Sequence, residues 1–178
     1  MKVCKFERMN NEDEVKQVIG CIQKEHPYVA VIPVLTQLQE WLQAISVSWF
    51  HEEDETSHTI VNAIEEYCRT LTDRLISDRK LNQDMKVQIE KCMEKIQVLV
   101  EDKADLLTDK IIKAEVYGLS NELFACCLRQ QGLRAQTLDT GKFMQINLER
   151  KPDIPYIKES VQQYISEKRD ADIFIAPL

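Results

Sequence analysis

The feature that most constrains this chain is a long central stretch without helix breakers. Between Thr36 and Tyr117 the sequence contains neither glycine nor proline. Apolar residues recur through this stretch at intervals of three and four, the spacing of one buried helix face. It therefore predicts three amphipathic helices, and an acidic hinge from His51 to His58 separates the first two. Their apolar positions are Leu38, Trp41, Leu42 and Ile45; Ile60, Ile64, Tyr67, Cys68, Leu71 and Leu75; and Met85, Ile89, Cys92, Met93, Ile96, Leu99 and Val100.

The residues before this helical centre predict two β-strands and a helix. Met1–Phe6 alternates apolar and polar residues, whereas Tyr28–Leu35 is a continuous apolar run, typical of a strand buried on both faces. Asn10 or Asn11 can cap a helix between them, which ends at His26-Pro27. Two strands joined by a helix are expected to be parallel, with a right-handed crossover.

The segment Thr108–Ile146 repeats this alternation of helix and strand. It predicts a short helix over 108–114, a loop, and a second helix that Ser120 caps and Gly132 terminates. A strand at Ala135–Leu138 and a turn at Thr140-Gly141 follow. The remaining predicted elements are a short strand at Phe143–Ile146, a helix capped by Asp153 with Pro155 in its first turn, and a closing strand at Ile173–Ala176.

Together these elements predict an α/β fold. A mainly parallel sheet with helices on both faces is a three-layer α-β-α sandwich. The chain of 178 residues has the length of one domain, so we expect a single domain over 1–178 with a helical insertion at about 51–105.

Composition narrows the possible partners and the compartment. The net charge is −7, which argues against nucleic acid or an anionic membrane as the main partner. No apolar run approaches the roughly 20 residues of a membrane span, and the start lacks the apolar core of a signal peptide. The six cysteines include no C-x-x-C pair, as expected for reduced thiols in a cytoplasmic protein.

Several motifs, in this order, resemble the aspartate kinases of the amino-acid-kinase fold. MKVCKF is similar to that family's opening strand, which ends K-F-G-G-T-S, and VAVIPVLTQLQEWL to its second strand and turn. GLSNELFACCLRQQGLRAQTLDTGKFMQIN is similar to its S-x-G-E-x-L-S-x-x-L-F-A-x-x-L-R-x-x-G followed by x-A-x-x-L-D-x-x-x-F. PDIPYIKESV and DIFIAPL resemble its P-D helix and the strand after it, whereas 51–105 matches only in helical character. The resemblance implies the N-terminal lobe of an enzyme that transfers phosphate from Mg-ATP to the aspartate side chain.

The same resemblance assigns roles to four residues. Lys5 occupies the position of the lysine that binds the nucleotide's phosphates. Gln39 aligns with a substrate-binding threonine, Ser120 matches the later serine of the third motif, and Asp139 matches the family's aspartate at the end of the following strand. The candidate site is therefore Lys5 as the catalytic residue, with Gln39, Ser120 and Asp139 around the substrate and no metal ligand.

The chain departs from the family at the residues that perform the chemistry. The family's phosphate-binding G-G-T-S is replaced by Glu7-Arg8-Met9-Asn10, and its substrate-orienting G-E aligns with Val116-Tyr117. A nucleotide cradle needs glycines, and this chain has four glycines where average usage of about 7% would give roughly twelve. The family's nucleotide-binding lobe would begin beyond Leu178.

These departures favour an aspartate-kinase-like domain that has lost kinase activity and acts through association with itself or another protein, without a cofactor. One alternative is the N-terminal fragment of a functional aspartate kinase, which would use Mg-ATP and aspartate. A second alternative is a sensor that binds an amino acid in the old substrate cleft.

One further pattern concerns metal. His51, Glu55 and His58 are spaced at i, i+4 and i+7, which on a helix would align two imidazoles with a carboxylate. Such dense charge is more typical of a solvated turn, so we expect no metal here.

Overall fold

A computed structural model describes residues 2–51, 54–101, 104–139, 142–143, 145, 151–168 and 170–177. None of the helices among these residues is long and apolar enough to cross a membrane. The elements in chain order are β1 (Val3–Lys5), α1 (Glu12–Glu25), β2 (Val29–Ile32), α2 (Thr36–Phe50), α3 (Asp54–Leu75), α4 (Arg79–Glu101), α5 (Leu106–Arg129), β3 (Ala135–Thr137), α6 (Ile154–Glu167) and β4 (Ile173–Pro177).

The four strands form one parallel sheet in the order β1-β2-β4-β3. Val29 pairs with Val3 on one side and with Phe174 on the other, so the last strand of the chain lies between β2 and β3. Pro33 follows directly after β2, where its missing N–H removes no bond from the ladder. The parallel sheet predicted from the sequence is confirmed.

Successive residues of β4 face opposite sides of the sheet and enter two apolar cores. Ile173 and Ile175 pack into the large core shared with α1–α5, whereas Phe174 and Ala176 pack against α6. On that second face the partly exposed ring of Tyr164 lies over Phe143, with ring centroids 6.3 Å apart. Helices therefore cover both faces, and the three-layer α-β-α architecture predicted from the sequence is confirmed.

Helices α2 to α5 pack as a four-helix group whose members alternate in direction. At one end the hydroxyls of Ser48 and Ser57 join α2 to α3 at 2.8 Å, and the side chain of Ser46 bonds to Asp109 at the start of α5. We call this the distal end; there α2 and α4 end and α3 and α5 begin. The stretch expected as a helical insertion contains α3 and α4.

The predicted helix ends are largely confirmed. The side chain of Asn11 caps α1, and Asp153 caps α6. His26 ends α1 in the left-handed conformation with a φ of 45°, and Gly132 follows α5 with a φ of 85°. Positive φ at Gly132 carries no steric cost because glycine has no Cβ.

The prediction of two helices on either side of a loop at Glu115–Leu119 is wrong. α5 runs without interruption from Leu106 to Arg129, so Ser120 lies inside the helix and does not cap it. The actual N-cap is Asp105, whose carboxylate accepts bonds from two backbone N–H groups of the first turn. Gly118 weakens a helix interior by only about 1 kcal/mol, less than the burial of a single large apolar side chain provides.

The first residue of the short strand predicted at Phe143–Ile146 is not part of a strand. Phe143 lies in a turn, buried against α6. Met144 and Ile146 lie outside the described residues, as does the turn predicted at Thr140-Gly141.

Candidate functional site

All four strands are parallel, so their carboxyl ends meet at one edge of the sheet. Ligands of open α/β sheets bind at this edge. Lys5 ends β1, Asp139 follows β3 by two residues, and Gln39 lies in the first turn of α2, directly after β2. The side chains of all three are exposed. The fold therefore brings three of the four predicted residues to the edge where a ligand is expected.

The turn between β1 and α1 is closed by hydrogen bonds within the chain. Met9 is completely buried, and its carbonyl accepts bonds from the N–H of Thr36 at 2.9 Å and from its hydroxyl at 3.1 Å. The N–H of Asn10 donates to the carboxylate of Glu14 at 2.7 Å. The side chain of Asn11 accepts a bond from the N–H of Glu14 at 3.0 Å. This turn is thereby tied to the first turns of α1 and α2.

The charges on this turn give a phosphate group no net attraction. The hydrogen bonds from Asn10 hold the pKa of the Glu14 carboxyl below its usual value, so Glu14 is ionised at neutral pH. Glu7 is exposed in the same turn, two residues after Lys5. Lys5 and Arg8 offset these two carboxylates, so a polyphosphate bound here would gain no net attraction, and it would find the N–H of Asn10 already engaged. These residues do not fit the phosphates of a nucleotide.

Ser120 lies on the buried side of α5, only 4% exposed. Its Oγ has no hydrogen-bond partner in the described part of the chain. Tyr117, which occupies the position of the family's substrate-orienting glutamate, is partly buried on another side of the same helix. Ser120 therefore packs in the core, while Tyr117 faces the carboxyl edge of the sheet.

A cleft of about 700 Å³ opens at this edge, between α4, α5 and the ends of β3 and β4. Gly118 contributes to its width, because no atom lies within 4 Å of the position a Cβ would occupy there. The residues that line the cleft include Lys91, Tyr117, Gly118, Asn121, Asp139 and Pro177.

Most charged side chains around the cleft already have partners, but one buried polar group does not. Lys95 forms an ion pair with Glu115, and Asp139 lies 3.8 Å from the ammonium of Lys142. Asn121 is only 3% exposed, and its side-chain amide makes no hydrogen bond to any described residue. An amide offers a donor and an acceptor together, so Asn121 can bind a polar group that enters the cleft.

The four predicted residues do not meet in one pocket. Asp139 lines the cleft, whereas Lys5, Gln39 and Ser120 are not among the described residues that do. Their assignment to substrate stays a prediction. Sequence reasoning missed Asn121, although its spacing of four from Tyr117 places the two on the same face of α5.

Cys92, which lines the cleft, and Cys127 of α5 are not poised as nucleophiles. Burial raises the pKa of Cys92 and that of Cys127 to about 12. Both are therefore neutral thiols at physiological pH, and thiolate is the reactive form.

The spacing of His51, Glu55 and His58 does not produce a metal site on one helix. His51 ends α2, whereas Glu55 and His58 belong to α3, and the ring of His58 bonds to the side chain of Gln97. Among the described residues there is no group of three or more His, Cys, Asp or Glu side chains arranged to hold a metal ion.

The parallel sheet, its two helical layers and the cleft at its carboxyl edge define an α/β domain with the fold of the N-terminal region of an aspartokinase. Solved structures with which it superposes include Escherichia coli aspartokinase III in complex with aspartate and ADP, in the R-state, and in complex with lysine and aspartate, in the T-state. The TM-scores are 0.76 and 0.77 at 20% and 21% sequence identity.

Each superposition covers 98% of this chain and 40% of the aspartokinase chain. The chain therefore spans less than half of the enzyme whose fold it shares. No protein-family model and no curated protein matches the sequence significantly. The resemblance to aspartate kinases found in the sequence is confirmed at the level of the fold.

Proposed function

We propose that this chain is a non-catalytic domain with the aspartate-kinase fold, which acts in the cytoplasm through association with a protein partner. The observation that carries the proposal is the closed turn between β1 and α1. Phosphoryl transfer depends on donors and metal ions that position the phosphates. In this turn the N–H of Asn10 already donates to Glu14, and the side chain of Met9 fills the core.

Opening that turn for a nucleotide would have a large cost. The Met9 side chain would leave the core, which costs about 1.5–3 kcal/mol for a fully buried residue of this size. Both bonds from Thr36 to the carbonyl of Met9 would also be broken. No glycine is present in the turn to bring the backbone close to a phosphate.

The cytoplasmic location in this proposal is supported by the cysteines. All six are unpaired and four of them are buried, which is typical of proteins in a reducing compartment.

Calorimetric titration with Mg-ATP tests the nucleotide part of this proposal. We expect no heat of binding, and full-length Escherichia coli aspartokinase III serves as the positive control. Affinity in the micromolar range would contradict the proposal.

The competing hypothesis is that the chain is the N-terminal part of an active aspartate kinase. It is supported by the shared fold, by Lys5 at the end of β1 and by the ADP and aspartate bound in the aspartokinase III structure. The test is aspartate-dependent release of ADP from Mg-ATP by the complete encoded chain. We expect none. Release that disappears in a Lys5→Ala variant would establish the kinase and refute our proposal.

A second candidate function is the binding of a small polar ligand, such as an amino acid, in the cleft. The observation that favours it is Asn121, which lines this space and whose side-chain amide bonds to no described residue. Lys91 on the opposite wall is exposed and could bind a carboxylate. A ligand at ten times its Kd would stabilise the fold by about 1.4 kcal/mol.

Thermal unfolding with and without aspartate or lysine tests this candidate. The informative variant is Gly118→Met, which fills the cleft, and Gly20→Met is its matched control in the interior of α1. Ligand binding predicts a rise in Tm for the native chain and for Gly20→Met that is lost in Gly118→Met. An equal rise in all three would show that the ligand binds elsewhere.

A further inference from the structure

The distal end of the four-helix group carries an apolar surface. Ten large hydrophobic side chains are exposed in the described part of the chain, and six of them lie at this end. Leu106 and Leu107 are 72% and 68% exposed, more than any other of the ten. We name the six residues the distal patch: Val47, Phe50, Val98, Leu106, Leu107 and Ile111.

Two interhelical contacts locate the patch. The side chains of Ser46 and Asp109 meet between α2 and α5. Phe50 lies one turn beyond Ser46, and Leu106 lies one turn before Asp109. Because α2 and α5 run in opposite directions, both side chains lie at the same end of this helix pair.

On the other side of α5, the ion pair between Lys95 and Glu115 fixes the register of α4 against α5. Val98 follows Lys95 by three residues, and Ile111 precedes Glu115 by four, so both lie one turn nearer the distal end. Leu107 lies one turn further along the same face of α5. The patch therefore extends from the tip of the group along the outer faces of α4 and α5.

Three acidic side chains, together with the exposed Lys110 of α5, flank this apolar surface. Glu55 lies in the first turn of α3, Glu101 ends α4, and Asp105 precedes α5, all with exposed side chains. The bonds that Asp105 accepts from Thr108 and Leu107 lower its pKa, so it remains ionised. In a complex of two copies joined at this end, these carboxylates would face one another, and the chain as a whole carries −7. A basic partner would instead be attracted.

We propose that the distal patch is a docking surface for a cationic amphipathic helix of another protein. The apolar face of that helix covers Leu106, Leu107 and Ile111, while its lysines and arginines meet Glu55, Glu101 and Asp105. A helix that lays its apolar face on a hydrophobic surface is a common mode of peptide recognition. The inference rests on the proposed function, because it names the surface and the partner of the association.

The test uses a fluorescent amphipathic peptide of leucine and lysine, about 18 residues or five helical turns long. A second peptide has the same composition in an order that forms no apolar face. Fluorescence anisotropy should show binding of the first peptide and at least about tenfold weaker binding of the second. The double substitution Leu106→Ser and Leu107→Ser should weaken binding of the first peptide by about tenfold.

Ile154→Ser is the matched control. Ile154 is 65% exposed, a fraction similar to the 68% of Leu107. It lies far from the patch, because it begins α6 on the opposite face of the sheet. Its substitution should change the affinity less than about twofold. The double variant should keep the circular dichroism of the native chain, because Asp105 bonds to backbone N–H groups of the first turn.

Two results would overturn this inference: equal binding of both peptides, or unchanged affinity in the double variant. Sedimentation that shows a dimer which the double substitution dissociates would also overturn it, because the occupant would then be a second copy. The ADP-release assay on the same preparation separates the two proposals. Release refutes the non-catalytic function, whereas absence of both release and peptide binding refutes only the docking surface.

Discussion

Arg134 and Asp172 join the starts of the two neighbouring strands β3 and β4. The guanidinium donates to both carboxylate oxygens, at 2.6 and 3.1 Å, and the backbone N–H of Arg134 donates to the same carboxylate at 2.8 Å. These bonds lower the pKa of Asp172 to about 2. Protonation of Asp172 would weaken this ion pair, so the contact between the starts of β3 and β4 depends on pH.

The first prediction is a loss of stability in acid. The folded pKa of Asp172 lies below its unfolded value of about 4, so its contribution is present above pH 4 and is lost as the pH falls towards 2. Asp172→Asn should lower the free energy of unfolding at pH 7 and flatten its pH dependence between 4 and 2. Urea titrations across this range measure both effects. Asp170→Asn, at an exposed neighbour, should leave the slope unchanged; an equal flattening would contradict the assignment.

The second prediction concerns glycines inside helices. An added Cβ at Gly20 or Gly118 would meet no atom within 4 Å, and alanine restricts the unfolded chain. Gly20→Ala and Gly118→Ala should each raise the free energy of unfolding by about 0.5–1 kcal/mol. Gly132→Ala is the contrasting control, because its φ of 85° is strained for alanine, and it should destabilise. A loss of stability in Gly118→Ala would show that the space beside this glycine is not free for a Cβ.

The third prediction uses two histidines at helix ends. His26 is exposed, and its backbone has the left-handed conformation, with a φ of 45°. His51 ends α2 with a φ of −94°, which is not left-handed. His26→Gly should stabilise the fold by about 1 kcal/mol, because glycine adopts left-handed backbone without a steric cost. His51→Gly should destabilise slightly through the entropy of the unfolded chain. Urea midpoints that fall in both variants would refute this account.

The fourth prediction contrasts two buried serines. Ser120 has no hydrogen-bond partner in the described chain, whereas Ser46 bonds to the buried carboxylate of Asp109. Ser120→Ala should be neutral or stabilising, since it removes an unsatisfied polar group. Ser46→Ala should cost about 1–3 kcal/mol because the Asp109 carboxylate keeps Lys113 but loses its buried hydroxyl donor. If chemical denaturation shows Ser120→Ala to be the more damaging, the Ser120 hydroxyl has a partner that this conformation does not contain.

The strands and most helix ends could be predicted from the sequence because their signals are local. The apolar run Tyr28–Leu35 needs no distant residue to indicate a buried strand. A side-chain cap such as that of Asp153 depends only on the residues that follow it. The resemblance to aspartate kinases supplied the overall arrangement, because it fixes the order of motifs along the chain.

Three features could not be predicted because distant residues produce them. α5 continues past Gly118 because its buried face, with Val116 and Leu119, packs into the large core. The cleft likewise needs α4, α5 and two strand ends together, so no local pattern marks Asn121 as its buried amide. The absence of glycine from the turn between β1 and α1 was visible in the sequence, but the burial of Met9 in that turn was not.

The position of β4 between β2 and β3 has a consequence for the order of folding. Val29 pairs with Phe174, so the centre of the sheet joins residues from opposite ends of the chain, whereas α2 to α5 pack with their neighbours in sequence. Contacts between distant residues form slowly because a long loop must close first. During synthesis on a ribosome, helices α2 to α5 can pack together before β2 has its partner strand β4. The sheet, and with it the cleft at its edge, then closes only after β4 has been synthesised.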